Sequence, residues 1–261
     1  MKIFLSVIIA LITSGAVAQD NSPYQKRSFI RGTDTLPYRI MYPLKYNPKK
    51  KYPVLLFLHG AGERGNNNEA QLTHGSKLFA DSANRMKYPA IVIFPQCSYT
   101  DFWAGIKVTK DRTDSTPLQI EYPADWNISK GLGLVSQLID SFATTRSADK
   151  QRFYIGGLSM GGMGTFEMLW RKPGFFAAAF PICGGGNVTK TAVYGKDFPI
   201  WVFHGEKDPV VDVNDSRKMV AALQSAGAKV KYTEYPNVKH DSWTNAFAEP
   251  LLLEWIFSQK K

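Results

Sequence analysis

Arg152-Phe153-Tyr154-Ile155-Gly156-Gly157-Leu158-Ser159-Met160-Gly161-Gly162-Met163-Gly164 is the stretch on which the reading of this chain turns. A strand-like run, Arg152 to Gly156, enters a GxSxG, and a helix-like pattern from Gly161 to Arg171 leaves it. Small residues on both sides of Ser159 let a serine occupy a very tight strand-to-helix turn. Such a turn pushes Oγ out of the sheet and aims the next backbone N–H, that of Met160, at the same point. The pentapeptide alone also fits a plain Gly-rich loop, so the rest of the chain has to decide.

Outward from this point, strands and helices alternate. Continuous apolar runs at 53–58 and 90–94 have the character of strands buried on both faces. Further strands are expected at 177–182, 200–203 and 229–235. Residues 131–142 set Leu134, Val135, Leu138, Ile139 and Phe142 on one helical face, and 214–226 do the same with Met219, Leu223 and Ala226 before Gly227. A terminal helix is expected over 251–257. Two strands, 26–31 and 36–42, precede the alternation and are joined by Gly32-Thr33-Asp34-Thr35. The fold class is therefore α/β: a mostly parallel twisted sheet with helices on both faces and an N-terminal antiparallel hairpin. One stretch breaks the rhythm. Residues 98–126 are polar, aperiodic and rich in aromatics, and either roof a ligand site at the carboxyl ends of the strands or form a small core of their own.

A serine hydroxyl needs a neutral imidazole to take its proton and a carboxylate to orient that imidazole. The chain has four histidines. His59 and His204 end strands and are expected to be buried and structural, and His74 to be exposed in a helix-like region. His240 follows the last strand in a loop and is the base candidate. Asp208 comes just beyond the strand at 200–203, before Pro209, where helix capping explains it less well than it explains Asp212 and Asp215. The order Ser159, Asp208, His240 delivers nucleophile, acid and base to three successive strand ends. Oxyanion donors are expected from the N–H of Met160 and, in His59-Gly60-Ala61-Gly62-Glu63-Arg64-Gly65, from the N–H of Ala61. The absence of a Gly-Lys-Ser/Thr sequence disfavours a phosphate-cradling reading of that loop.

The chain has 261 residues, 44% hydrophobic and 21% charged, as for one globular domain. Residues 1–18 carry Lys2, an apolar run from Ile3 to Ile12 and Ala16-Val17-Ala18, which reads as a secretory signal peptide cut before Gln19. That leaves 19–261 as a single domain, secreted or periplasmic, with no stable membrane insertion. The formal charge of +10 comes from scattered Lys and Arg, with one tight cluster at Lys49-Lys50-Lys51, and no nucleic-acid motif accompanies it. Cys97 and Cys183 are expected as buried thiols rather than a disulfide. No Cys/His spacing resembles a metal site, and no cofactor is expected.

Together, Leu58-His59-Gly60-Ala61-Gly62-Glu63-Arg64-Gly65, Phe94-Pro95-Gln96-Cys97, Gly157-Leu158-Ser159-Met160-Gly161-Gly162, Pro181-Ile182-Cys183-Gly184-Gly185-Gly186, His204-Gly205-Glu206-Lys207-Asp208 and His240-Asp241-Ser242-Trp243 resemble secreted α/β-hydrolase-fold serine esterases. The branch is the predicted-peptidase or phospholipase/carboxylesterase-like group, similar to feruloyl and acetyl-xylan esterases and polyhydroxybutyrate-depolymerase-like proteins. The resemblance runs from about Tyr52 to Trp255. It implies ester hydrolysis through an acyl-enzyme, with Ser159 as nucleophile, Asp208 as acid, His240 as base, and Ala61 and Met160 as the oxyanion hole. Trp103, Trp243 and Gln96 are the substrate-contact candidates, and the expected substrate is a feruloyl or acetyl ester on cell-wall carbohydrate. A peptidase of the same fold, a lipid or polyester hydrolase and a non-catalytic carbohydrate-binding protein are the alternatives.

Overall fold

The computed structural model describes residues 23–113 and 116–261. The signal-peptide reading of 1–18 lies outside the described residues. Two strands open the chain, β1 (Gln25–Arg31) and β2 (Asp34–Met41), turned at Gly32 with φ 57°. β3 (Tyr52–Leu58) leads through the short helices α1 (Ser76–Ala80) and α2 (Ser82–Lys87) to β4 (Ile91–Pro95). β5 (Lys107–Lys110) and β6 (Gln119–Glu121) form a small separate ribbon. Then follow α3 (Lys130–Ala143), β7 (Ala148–Leu158), α4 (Met160–Arg171), β8 (Ala178–Ile182), α5 (Thr191–Tyr194), β9 (Pro199–Gly205), α6 (Val213–Ser225) and β10 (Lys229–Tyr235). The described chain closes with α7 (Trp243–Ala248) and α8 (Leu252–Ser258).

Eight strands make one sheet in the order β1-β2-β4-β3-β7-β8-β9-β10. β2 is antiparallel to both its neighbours, and every later pairing is parallel. This is the α/β-hydrolase arrangement expected from the sequence, hairpin included. The cause is visible in the side-chain alternation. Val54, Leu56, Leu58, Ile91, Ile93, Phe153 and Ile155 face one core, shared with α3, α4 and α6, while Leu55, Phe57, Val92, Phe94 and Tyr154 face the other, shared with α1, α7 and α8. A strand whose two faces are both covered has no use for polar residues, hence the unbroken apolar runs. In α3, Leu134, Val135, Leu138 and Ile139 are buried, as their spacing predicts, and Ser129 caps the helix by accepting from the Leu132 N–H at 3.2 Å.

The 98–126 insertion packs largely on a satellite core. Ala104, Met163 and Val211 are its buried members, and Phe102, Ile106, Ile120 and Tyr122 cover them. Polar ties add to this: Tyr122 Oη donates to Asp215 at 3.1 Å, and the Gly105 N–H to Glu167 at 2.7 Å. Asp215 thus fastens the insertion besides sitting in the first turn of α6, where Asp212 is the cap, accepting from the Asn214 N–H at 2.9 Å. Both cysteines are free and buried. Among the described residues no helix is long and apolar enough to cross a membrane.

Candidate active site

Ser159 stands between β7 and α4 with φ 52° and ψ −117°. A non-glycine residue there carries strain that its surroundings must hold in place. They do so by close approach. A Cβ at Gly161 would lie 2.0 Å from the Leu58 carbonyl oxygen, and one at Gly157 would lie 2.3 Å from that of Gly161. Only glycine lets α4 start this near β3, and the Ser159 N–H is anchored to the Ile182 carbonyl at 2.9 Å. The turn leaves the Ser159 side chain partly exposed among buried neighbours.

Asp208 and His240 arrive on loops after β9 and β10. His240 Nδ1 donates to Asp208 Oδ2 at 2.7 Å, which leaves Nε2, 3.0 Å from Ser159 Oγ, to accept the serine proton. The structure thus brings together the three residues that the sequence selects. Asp208 is buried, and burial alone would raise its carboxyl. Hydrogen bonding to His204 and His240, with the N–H groups of Val210 (2.8 Å) and Val211 (3.0 Å) on Oδ1, outweighs this and holds it well below the usual carboxylate range. His204, fully buried, lies with Nε2 3.2 Å from Oδ2 of Asp208 and Nδ1 2.7 Å from Ser216 Oγ, braced as a structural histidine. The two loops are also stitched to each other. The Glu206 N–H donates to Tyr235 O (3.0 Å), that of Lys207 to Val238 O (2.9 Å) and that of Asn237 to the Glu206 carboxylate (3.0 Å). A Cβ at Gly205 would lie 2.2 Å from the Lys239 oxygen, so the His240 loop rests directly on the end of β9.

The N–H groups of Ala61 and Met160 each open a helical turn, where backbone donors have no partner within the helix. Neither has a hydrogen-bond partner among the described residues. Beneath Ala61, the buried His59 ring spans the loop, its Nδ1 donating to Gly60 O at 2.6 Å and its Nε2 accepting from the Cys97 N–H at 2.9 Å. This arrangement suits only the neutral ring, and burial pushes His59 down to about 4. Trp103 lies under the same loop, its ring 5.2 Å from that of His59 and its Nε1 donating to His59 O at 3.1 Å.

Two substrate-contact expectations need correction. Trp103 is fully buried, so it offers no surface to a ligand and instead holds up the loop bearing Ala61. Gln96 is also buried; it stands behind a recess at the β1–β2 hairpin, and its amide is consumed by Glu63 O, Asn67 Oδ1 and the Asn68 N–H. Trp243 is partly exposed and meets His240 edge-on at 5.3 Å between centroids. Its ring also packs on His74, 5.1 Å away. His74 is therefore not an exposed helical residue. It sits just before α1, partly buried against Trp243 and 3.7 Å from Glu63, and nothing in its local sequence signals this.

Potential metal-ligating atoms of Cys183, Asp208 and His240 all lie within 4.8 Å of one another. Asp208 and His240 are already hydrogen-bonded together, and burial pushes the Cys183 thiol far up, away from the thiolate that would bind a metal. The chemistry of this donor set is that of a proton-transfer chain.

Residues 45–250 match the model of the phospholipase/carboxylesterase family. A bifunctional acetylxylan esterase/xylanase of Neocallimastix patriciarum is 28% identical over 200 residues, 73% of this chain and 26% of that protein. Lysophospholipase-like protein 1 of Mus musculus is 26% identical, covering 78% of this chain and 86% of that one. The crystal structure of a thermostable esterase superposes with a TM-score of 0.80 at 36% identity, covering 92% of this chain and 64% of the other. The chain thus spans about a quarter of the xylan-active relative and under two thirds of the thermostable esterase.

Proposed function

The chain belongs to the phospholipase/carboxylesterase family, and from that premise we propose that it is a serine carboxylesterase working through an acyl-enzyme on Ser159. His240 Nε2 takes the Oγ proton as Oγ attacks the ester carbonyl, and Asp208 stabilises the imidazolium that forms. The N–H groups of Ala61 and Met160 receive the oxyanion. The alcohol leaves with the proton from His240, and water, activated by the same ring, releases the acid. The observation that carries this reading is the unbroken chain from Ser159 Oγ to His240 (3.0 Å) and on to Asp208 (2.7 Å), beside two unpartnered amides.

The favoured substrate is an acetyl or feruloyl ester on plant cell-wall polysaccharide. Similarity to the acetylxylan esterase/xylanase supports it, as does the partly exposed Trp243 ring beside His240, suited to stacking on a sugar or phenolic ring. The same reading takes residues 19–261 as one catalytic domain, exported to the periplasm or beyond on the strength of the signal-like segment 1–18. A lysophospholipid ester is the second reading, favoured by the mouse lysophospholipase-like protein, which aligns over most of its length.

The test is a panel of p-nitrophenyl acetate, methyl ferulate, acetylated xylan and lysophosphatidylcholine with wild type and Ser159→Ala. The variant is expected to lose roughly 10⁴-fold or more of turnover on every substrate that the wild type cleaves. Wild-type turnover by Ser159→Ala ends the mechanism. Cleavage of lysophosphatidylcholine in preference to acetylated xylan and methyl ferulate selects the second reading.

A further inference from the structure

A recess lies next to the segment that runs on from Ala61, apart from Ser159. A cavity of about 640 Å³ opens between the β1–β2 hairpin, the start of α3 and the loop that runs on from Ala61 through Gly65 and Asn68. That volume suits a small organic ligand, for which pockets run roughly 300–1,000 Å³. Ser159, Asp208 and His240 do not line it.

Its lining has a definite chemistry. The side chains of Ser28, Thr33, Thr35 and Asn66 are exposed there and make no hydrogen bond to any described residue. The charged groups, in contrast, are already engaged. Asp34 pairs with Lys130, and Asp101 accepts from the N–H groups of Phe102 and Gly131. The recess therefore offers hydroxyls and an amide beside one ion pair and one carboxylate already bound by two backbone N–H groups. Tyr99, 68% exposed, lies against Gly65, one of the lining residues, where a Cβ would come within 3.3 Å of its ring. Free hydroxyl and amide groups beside an exposed aromatic ring complement a neutral polyol, whose hydroxyls both donate and accept and whose C–H faces pack on rings.

The recess is joined to the loop of the proposed oxyanion donor. Gly65 is four peptide steps from Ala61, at most about 14 Å, and Arg64 ties the two segments by donating to Ala61 O (3.1 Å), Tyr99 O and Asp101 O (3.3 Å each). We propose that this recess is a saccharide subsite, binding unesterified neutral sugar units of the polymer whose acyl group reaches Ser159. The proposal rests on the polysaccharide-esterase reading and adds where the alcohol side of the ester is held.

The experiment has a binding arm and a kinetic arm. Unesterified xylo-oligosaccharides are titrated into Ser159→Ala, alone and combined with Thr35→Trp, which fills the recess, or with Thr33→Val/Asn66→Leu, which removes two hydrogen-bonding groups. Each combination is expected to weaken binding about tenfold or more, the equivalent of two net hydrogen bonds. With Ser159 intact, the ratio of kcat/KM on acetylated xylo-oligosaccharide to that on p-nitrophenyl acetate is expected to fall by a similar factor in variants whose melting matches wild type. Unchanged binding, an unchanged ratio, or tighter binding of anionic oligogalacturonate than of xylo-oligosaccharide overturns the subsite. Failure on p-nitrophenyl acetate itself overturns the esterase reading instead, so the two failures are distinguishable.

Discussion

At the scale of single residues, the proposed mechanism rests on a few atoms held in place by buried side chains. Trp103 is the clearest of these. Trp103→Phe keeps a ring under the Ala61 loop but leaves the buried His59 carbonyl without its donor, a loss of about 1–3 kcal/mol in unfolding free energy. Because the loop positions a proposed oxyanion donor, turnover on p-nitrophenyl acetate should fall about tenfold with KM little changed. A purely structural tryptophan would lower the melting temperature and leave kcat alone. The grouping of Ser159, Asp208 and His240 is legible in the sequence because the proposed chemistry demands particular residue types in a particular order at strand ends. The sequence misplaces Trp103 and Gln96 because an aromatic or amide in an irregular loop has the same letter whether it faces solvent or the core. His74 reads as exposed for a similar reason: its contact with Trp243 joins residues 169 positions apart in the chain.

At the scale of elements, apolar alternation located each strand of the main sheet to within a few residues. It cut β7 short, since Ala148–Gln151 extend the strand with polar and partly exposed residues. It also missed α7, six residues long with one buried side chain, too short to show a helical period. Glycines separate what an element tolerates from what it cannot. Gly133 in α3 has only Ile128 Cγ2 near a Cβ, at 3.7 Å, so Gly133→Ala is expected to stabilise the protein by about 0.5–1 kcal/mol. Gly161→Ala would drive a methyl into the backbone of β3 and should cost on the order of 4 kcal/mol or more, or prevent folding. Urea unfolding of the two variants beside wild type checks both signs. A Gly161→Ala protein as stable as wild type would mean that α4 does not start as close to β3 as described.

At the scale of the whole molecule, His59 ties stability to pH. Its folded-state value is lowered from 6.5 to about 4, so between those values the unfolded chain holds a proton that the folded chain lacks. Stability should therefore fall on acidification from pH 6.5 to about 4, by up to on the order of 3 kcal/mol, and this contribution should level off below. Asp208, with its depressed carboxyl, contributes stability that is present above the ordinary aspartate range and lost only in stronger acid, so the two effects separate along the pH axis. Urea unfolding from pH 7 to 4 is expected to show the slope in wild type and a shallower one in His59→Gln. Equal slopes would assign the acid sensitivity elsewhere.

The stitching between the loops after β9 and β10 has a consequence of its own. Many enzymes lose activity on warming before they lose their fold, because a mobile loop drifts from its partner. Here Asp208 and His240 ride on segments bonded to each other and seated on Gly205, so neither can wander while the strand ends stay paired. These two loops are therefore expected to part only when the sheet itself does. Residual activity and near-ultraviolet circular dichroism, followed through the same thermal ramp, should give coincident midpoints. An activity midpoint several degrees below the structural one would show the two loops parting on their own.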